Sequence, residues 1–243
     1  MLATGLFSTP ALAQDAERAS PRATLRLRYG AARHSGQQRV GTGALRYDDS
    51  VFNDTGLSGS YFPAQGPGLV FGVQQEGLTL ASSEGVKQVT HAPLLRFHVA
   101  LAARFPLGPL QLQPSFGYAL AQLPSVSALA EPRQLWAVRR SAQLGLRAQL
   151  PLPRRLHAEL RAEVPFALFA IDGQGRRVTS SGVLAGVALG RELARAGSFS
   201  TTLLLDYQYV YDRYTVDATR GAHQRVSRLG LALELGLWPK QGP

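Results

Sequence analysis

The sequence predicts an all-β protein, an up-and-down antiparallel β-barrel of about ten strands. Three observations favour this fold class: apolar and polar residues alternate with a period of two, short and long connections alternate along the chain, and the apolar positions hold almost only Leu, Val, Phe and Ala. The period of two is the strongest of the three, because a strand places such apolar residues on one face whereas a helix would spread them around its circumference.

The clearest strand lies near the end of the chain, where residues 225–238 read RVSRLGLALELGLW. Leucine occupies every second position from 229 to 237, while the positions between carry Gly, Ala or Glu. This strand therefore has one apolar face and one face that is small or charged.

Nine further segments show the same alternation, and some show it less cleanly because glycines interrupt it. They are residues 23–29, 55–63, 68–80, 95–105, 110–120, 143–150, 156–166, 179–193 and 199–212. Most of these segments reach the roughly 9–11 residues that a tilted strand needs to cross a bilayer. An even number of strands returns both ends of the barrel to the same side.

The connections between these segments alternate between two kinds. Short ones, built mostly from Pro and Gly, are residues 63–67, 106–109, 151–154 and 194–198; long polar ones are residues 31–54, 81–92, 122–135, 170–178 and 213–224. In barrels that span an outer membrane, short turns face the periplasm and long loops face the exterior. The rhythm of the connections therefore predicts a transmembrane barrel with long extracellular loops.

The two parities of the strands predict which side chains meet lipid and which line the interior. We expect lipid contact at Leu95, Phe97, Leu101, Leu144, Leu146, Leu203, Leu205, Leu229, Leu231, Leu233 and Leu235. We expect the lumen to be lined by Arg26, Arg28, Glu76, Arg96, His98, Arg104, Arg147, Glu159, Arg161, Glu163, Asp206, Arg228 and Glu234. Aromatic residues expected at the lipid–water interface are Tyr61, Phe105, Tyr209, Tyr211 and Trp238.

With these features the chain resembles the small outer-membrane β-barrel proteins of Gram-negative bacteria. The resemblance covers residues 23–238 and rests on architecture, not on a diagnostic motif. It implies a monomer in the cell outer membrane, in contact with outer-membrane lipid, whose last strand is read by the barrel-insertion machinery. The segment from Leu229 to Trp238 is similar to that signal, although Trp238 falls on the parity opposite to the leucines.

Both termini lie outside the predicted barrel. Residues 1–13, MLATGLFSTPALA, are similar to the end of a secretory signal peptide cleaved after Ala13. No positive residue precedes the apolar part, which favours a true start codon further upstream; the alternative is an apolar N-terminus of a cytoplasmic protein. Residues 14–22 form a polar leader, and residues 239–243 form a C-terminal tail.

Composition excludes several kinds of site. The chain has no cysteine, which excludes disulfides, thiolate metal sites and cysteine nucleophiles. Five histidines are scattered without an HxxxH or HExxH grouping, so we expect no metal and no cofactor. The net charge is +10, but the arginines are spread one per pleat, unlike a nucleic-acid-binding patch, so we expect no nucleic-acid partner.

Two roles remain open for the barrel. About ten strands leave a filled or narrow interior, where arginines and carboxylates can pair; the alternative is a narrow, anion-preferring pore. The longest predicted loop, residues 31–54, carries Arg33, His34, Arg39 and Arg46, which can bind the phosphates of lipopolysaccharide. The alternative for this loop is a mobile segment without a ligand.

We expect no enzymatic activity, because the sequence contains no GxSxG motif and no recognisable Ser/His/Asp spacing. The resemblance leaves one alternative, an outer-membrane hydrolase that uses carboxylates at its outer rim. Its candidate residues are Asp48, Asp49, Asp54, Asp206, Asp212 and His223. A further alternative is a soluble periplasmic β-barrel that binds an apolar ligand inside.

Overall fold

The computed structural model describes residues 21–80, 89–126, 134–172, 175–218 and 220–239, and in these ranges the regular structure is all strand. The strands are β1 (Ala23–Val40), β2 (Gly43–Tyr61), β3 (Gly68–Leu80), β4 (Val89–Ala102), β5 (Phe105–Leu107), β6 (Leu110–Val126), β7 (Gln134–Leu152), β8 (Leu156–Ile171), β9 (Thr179–Ala196), β10 (Phe199–Asp217) and β11 (Arg220–Leu237). The predicted signal peptide, most of the leader and residues 240–243 lie outside the described residues.

The strands form a closed antiparallel barrel. Each strand from β1 to β3 pairs with the next, β4 pairs with β6, and each strand from β6 to β10 again pairs with the next. β11 pairs with β1 and completes the ring. β4 and β5 both pair with β6 and act as one interrupted strand, bridged by the Ala103 amide, which donates to the Pro114 carbonyl at 3.1 Å. The ring therefore has ten strands, which confirms the predicted fold class.

The exposure of side chains is reversed relative to that of a water-soluble protein. In β11 the leucines face outward, with Leu233 42% exposed, whereas Arg228 on the opposite parity is 0% exposed. A closed barrel satisfies its backbone hydrogen bonds without water, so this exterior is suited to a hydrocarbon environment. We call the belt of exposed apolar side chains the apolar band. The alternative of a soluble barrel with an apolar interior is wrong, because the interior is ionic.

The four short connections are tight turns, as predicted. They follow β2, β5, β7 and β9, and three of them contain glycines with positive φ, Gly66 (86°), Gly108 (60°) and Gly197 (57°). This backbone region is open to glycine without steric cost. We call this end of the barrel the inner end, and the opposite end the outer end. No helix in the described ranges is long and apolar enough to cross a membrane.

Two of the predicted long loops are strands. Residues 31–54 form a β-hairpin whose turn is Gly41 and Thr42, with φ of 63° at Gly41, and residues 213–224 continue β10 and β11 to the turn between them. Alternation of apolar and polar residues does not reveal these extensions, because both of their faces are polar: His34 points inward and is buried, while Arg33 points outward. We call these extensions, beyond the apolar band, the outer wall.

The centre of the apolar band tolerates charge poorly. Leu233 lies opposite Leu27 of β1 and Leu203 of β10, in the middle of the leucine series of β11. We expect Leu233→Arg to lower the free energy of unfolding by about 2–4 kcal/mol, measured by urea unfolding from lipid vesicles.

Ser227→Arg is the matched control, since it places the same side chain beyond the last outward leucine of β11. We expect it to cost about 0–1 kcal/mol, the range for a cation near the interface. Equal effects of the two substitutions would show that the leucines do not face lipid.

Candidate functional site

The lumen contains the side chains that the sequence assigns to it. All thirteen predicted lumen-lining residues are buried or half-buried in the structure, and the eleven predicted lipid-facing residues are exposed. The inward positions hold arginines and carboxylates from strands far apart in sequence, and these meet across the barrel in three groups of ion pairs. We name them the inner, middle and outer layers.

The inner layer contains two arginines and two glutamates. Arg26 on β1 donates from Nη2 to Glu159 on β8 at 2.9 Å and to Glu234 on β11 at 2.7 Å. Arg147 on β7 donates from Nη2 to Glu159 at 2.5 Å. Because three strands separate β1 from β8 in the ring, the bond between Arg26 and Glu159 crosses the lumen.

The middle layer contains two arginines and two aspartates. Arg28 donates from Nε to Asp206 at 3.0 Å and from Nη1 to Asp54. Arg161 donates from Nη2 to the second oxygen of Asp206 at 3.0 Å. The amide of Gln74 donates to the other oxygen of Asp54 at 2.8 Å, so both carboxylates are fully engaged.

The outer layer contains three arginines and two carboxylates. Arg228 holds Glu76 in a bidentate fork, with bonds of 3.0 Å from Nε and 2.7 Å from Nη2. Arg96 joins the two acids, donating to Glu76 at 3.3 Å and to Asp212 at 2.6 Å, while Arg139 donates to Asp212 at 2.8 Å. Both Arg228 and Glu76 are 0% exposed, and the buried His34 also lies within 3.5 Å of Glu76.

The two ends of the lumen are also occupied. Beyond the outer layer lies an apolar cluster of Ala121, Leu123, Ala137, Tyr214 and Ala222. The hydroxyl of Tyr214 accepts a hydrogen bond from Gln38 at 3.1 Å. At the inner end, Arg104 stacks over the Phe62 ring at 3.6 Å and donates to the Pro21 carbonyl at 2.8 Å.

The lumen nearly neutralises its own charge. Its described arginines are Arg26, Arg28, Arg96, Arg104, Arg139, Arg147, Arg161 and Arg228, and its described carboxylates are Asp54, Glu76, Glu159, Glu163, Asp206, Asp212 and Glu234. Burial of an unpaired ion costs several kcal/mol, so this balance is what allows the charges to be buried. Nearly all of the net charge of +10 therefore lies elsewhere in the chain.

A small cavity lies among the three layers. Its volume is about 110 Å³, and its lining includes Arg28, Arg96, Arg161, Glu163 and Asp206. A water molecule takes up about 30 Å³ in the liquid, so the cavity has room for a few waters. Its lining includes many charged and polar side chains, as a water-filled space requires.

A second, larger cavity lies at the outer wall, where β11 runs between β1 and β10. It has a volume of about 560 Å³, and we call it the basic groove. It is lined by Gln37, Arg39, Tyr211, Arg213, Tyr214, Thr215, Asp217, Ala218, Arg220, Gly221, Ala222, His223 and Arg225. Most of these positions have the outward parity, which also carries the leucines of the apolar band.

Electrostatics in the outer wall are dominated by arginine. Burial, together with the neighbouring Arg225 and Arg213, lowers the pKa of His223 below its ordinary value of 6.5. The hydrogen bond from Arg33 lowers the pKa of Asp48, and the two side chains meet at 2.7 Å in an exposed ion pair. His223 is therefore neutral at pH 7 although it lies close to a groove rich in cations.

The candidate catalytic carboxylates are not brought together. Asp54, Asp206 and Asp212 are buried in the ion-pair layers, whereas Asp48 is paired on the outer wall and His223 lies in the basic groove. The side chain of Asp49 lies outside the described residues. In the described part of the chain, no group of three His, Asp or Glu side chains is arranged to hold a metal ion.

Asp54 is a lumen residue that the sequence analysis assigned to a loop. It shares the parity of Gly56 and Ser58, so continuing the period of two upstream from the predicted strand would have found it.

Trp238 was predicted at the lipid interface, but its indole nitrogen donates to the inward Ser200 hydroxyl at 2.7 Å. Trp238 has the parity opposite to the outward leucines of β11, and this is why its ring reaches an inward residue. Tyr61 and Phe105 are exposed at the inner end, and Tyr209 and Tyr211 are half-buried.

The fork between Arg228 and Glu76 gives a test of the ion-pair layers. We expect Glu76→Gln to lower the free energy of unfolding by about 3–5 kcal/mol, because it leaves a fully buried guanidinium without its carboxylate. Urea unfolding from lipid vesicles measures the change. Asp48→Asn is the control, because it breaks an exposed ion pair with Arg33 on the outer wall and is expected to change the free energy of unfolding far less than Glu76→Gln does.

Replacing both partners, Glu76→Met with Arg228→Met, is expected to recover most of the stability that the single substitution loses, since it removes both charges together. A single Glu76→Gln variant as stable as the wild type would contradict a structural role for the fork.

Comparison with known proteins yields structural similarity alone: no family model and no curated protein matches the sequence. The outer membrane protease OmpT from Escherichia coli has a TM-score of 0.51 at 9% identity, covering 88% of this chain and 96% of that one. The β domain of the Bordetella autotransporter BrkA has a TM-score of 0.36 at 14% identity, covering 86% and 99%. The closed ten-stranded barrel with its apolar exterior and ionic lumen is thus an outer-membrane β-barrel, located in the outer membrane.

Proposed function

We propose that this protein is a closed outer-membrane barrel that works by binding at its outer wall and does not conduct. The observation that carries the proposal is the filling of the lumen by three successive ion-pair layers and a terminal apolar cluster. This arrangement supports the structural and binding role expected from the sequence over the narrow pore.

A permeating ion would have to pass each layer in turn. Side chains reach into the lumen at every layer, because Arg26, Arg28 and Arg228 each bond to a carboxylate on another strand. Opening such a pair leaves buried charges without partners, at a cost of about 3–5 kcal/mol for a single pair. Three layers in series therefore favour a permanently closed interior.

The outer wall supplies the accessible surface. β1 and β2 are 18 and 19 residues long. A tilted strand needs roughly 9–11 residues to cross the bilayer, so each continues well beyond it. The extensions carry exposed polar and cationic side chains, including Arg33, Arg39 and Arg46. A rigid sheet that holds such side chains in register is a better binding surface than a mobile loop, because less conformational entropy is lost when a ligand binds.

The proposal assigns no reaction to the rim carboxylates. The candidate carboxylates whose side chains are described, Asp48, Asp54, Asp206 and Asp212, are paired with arginines in the lumen or on the wall, and a carboxylate held by arginine is a weak base. The likeness to OmpT, at 9% identity, supports the fold and not its protease activity.

Conductance tests the closed lumen directly. Purified protein inserted into planar lipid bilayers is expected to give no stable single-channel current. A single substitution in one layer, Arg28→Ala, is expected to leave the barrel closed because two further layers remain. Stable anion-selective steps from the wild-type protein would overturn the proposal and support the narrow pore.

Cysteine labelling gives an independent measurement, because the natural chain contains no cysteine. Ser58 lines the lumen cavity, and Ser50 is exposed on the outer wall. With a charged, membrane-impermeant thiol reagent, we expect Ser58→Cys to be modified at least a hundredfold more slowly than Ser50→Cys. Similar rates at the two positions would show an open lumen.

A further inference from the structure

We propose that the basic groove binds the phosphate groups of lipopolysaccharide, the anionic glycolipid of the outer leaflet. This inference rests on the proposed function and deepens it, since it names the ligand class of the outer wall. It is carried by three properties of the groove: its unbalanced charge, its height above the apolar band, and the direction in which its side chains point.

The charge of the groove is strongly unbalanced. Arg39, Arg213, Arg220 and Arg225 line it, and the carboxylate in the lining is Asp217, which pairs with Arg220 at 3.4 Å. The other three arginines form no ion pair with a described carboxylate, unlike the arginines of the lumen layers. Guanidinium groups without an internal partner are suited to bidentate binding of phosphate oxygens.

The membrane-proximal edge of the groove, at Arg225, lies at the height of a lipid headgroup, and the groove continues outward to Arg220 at the start of β11. Along the outward parity of β11, the last leucine is Leu229, followed by Ser227, Arg225 and His223. Arg225 is four residues beyond Leu229, about 13 Å along the strand at 3.4 Å per residue and about 10 Å in height for a strand tilted by about 40°. On β10, tyrosines occupy the intermediate level, with Arg213 directly beyond Tyr211.

The register of the strands places the cationic side chains next to one another. Arg213 lies opposite His223, which lies opposite Gln37, and Arg225 lies opposite Tyr211. One level further out, Gly221 lies between Arg39 and Thr215 and contributes no side chain. The cavity beside these arginines has a volume of about 560 Å³, which is enough for a phosphorylated sugar.

The direction in which the arginines of the groove point indicates the kind of ligand that can reach them. Arg39, Arg213 and Arg225 share the parity of the lipid-facing leucines, so they point sideways, in the plane of the membrane, rather than upward into the medium. The anions that meet such a surface are the headgroup phosphates of neighbouring lipopolysaccharide molecules. A soluble phosphorylated ligand or a nucleic acid would approach from above and has no reason to favour this face.

Binding of lipid A tests the inference. Full-length folded protein in detergent is titrated with fluorescent bisphosphorylated lipid A, with the same lipid lacking both phosphates, and with inorganic phosphate as a competitor. We expect the bisphosphorylated lipid to bind at least tenfold more tightly than the dephosphorylated one, with no displacement by millimolar inorganic phosphate. Equal affinity for the two lipids would overturn the inference, and full displacement would show a free-phosphate site instead.

Substitutions locate the site. The triple variant Arg39→Gln, Arg213→Gln and Arg225→Gln is expected to bind bisphosphorylated lipid A at least tenfold more weakly. The matched control, Arg22→Gln, Arg154→Gln and Arg191→Gln, removes the same charge from exposed positions at the inner end and is expected to stay within twofold of the wild type. Equal losses in the two variants would overturn the inference, since they would reflect net charge alone.

A measurement on the unmodified protein covers the case in which the triple variant fails to fold. Because His223 lies between Arg213 and Gln37 and beside Arg225, a bound phosphate raises its pKa towards the ordinary value. NMR titration of the His223 ring is expected to show this rise with bisphosphorylated lipid A and not with the dephosphorylated lipid. An unchanged pKa at saturation would place the lipid elsewhere. The conductance test is independent of these outcomes, so the closed lumen and the lipid site can fail separately.

Discussion

A guanidinium buried in the centre of a barrel cannot exchange its partner for bulk water, so each arginine of the three ion-pair layers requires a carboxylate within hydrogen-bonding distance. The fork between Arg228 and Glu76 joins β11 to β3, and the bond between Arg26 and Glu159 joins β1 to β8. These bonds cross the interior and connect strands that do not pair through their backbones. The remaining features of the molecule follow from this requirement for internal neutrality.

Closure of the lumen is the first consequence. Side chains that must satisfy one another across the ring also fill it. Inward apolar residues such as Ala188, Leu204 and Ala232 occupy the space between charged groups. The second consequence concerns the exterior. Because the lumen is nearly neutral, the excess of arginine in the sequence falls outside it, and part of it lines the basic groove of the outer wall.

Much of the fold was predictable from particular residues. The leucines at alternate positions in β11 identified the outward face, and the proline and glycine turns identified the inner end and the strand count. The hairpin of residues 31–54 was not predictable from the same signal. Beyond the bilayer both faces of a strand can be polar, so the alternation that marks a half-apolar strand disappears although the backbone pairing continues.

The sequence by itself predicted a barrel of about ten strands, because turns separate its alternating segments. It also predicted which parity faces lipid and which arginines line the interior, because the direction of a side chain depends on the period of a strand. The tertiary structure alone decided which carboxylate each arginine meets, that Asp54 belongs to the lumen, and that Arg39, Arg213 and Arg225 share one groove. Such contacts depend on the register and on the closure of the ring, which bring together residues more than a hundred positions apart and which no local pattern encodes.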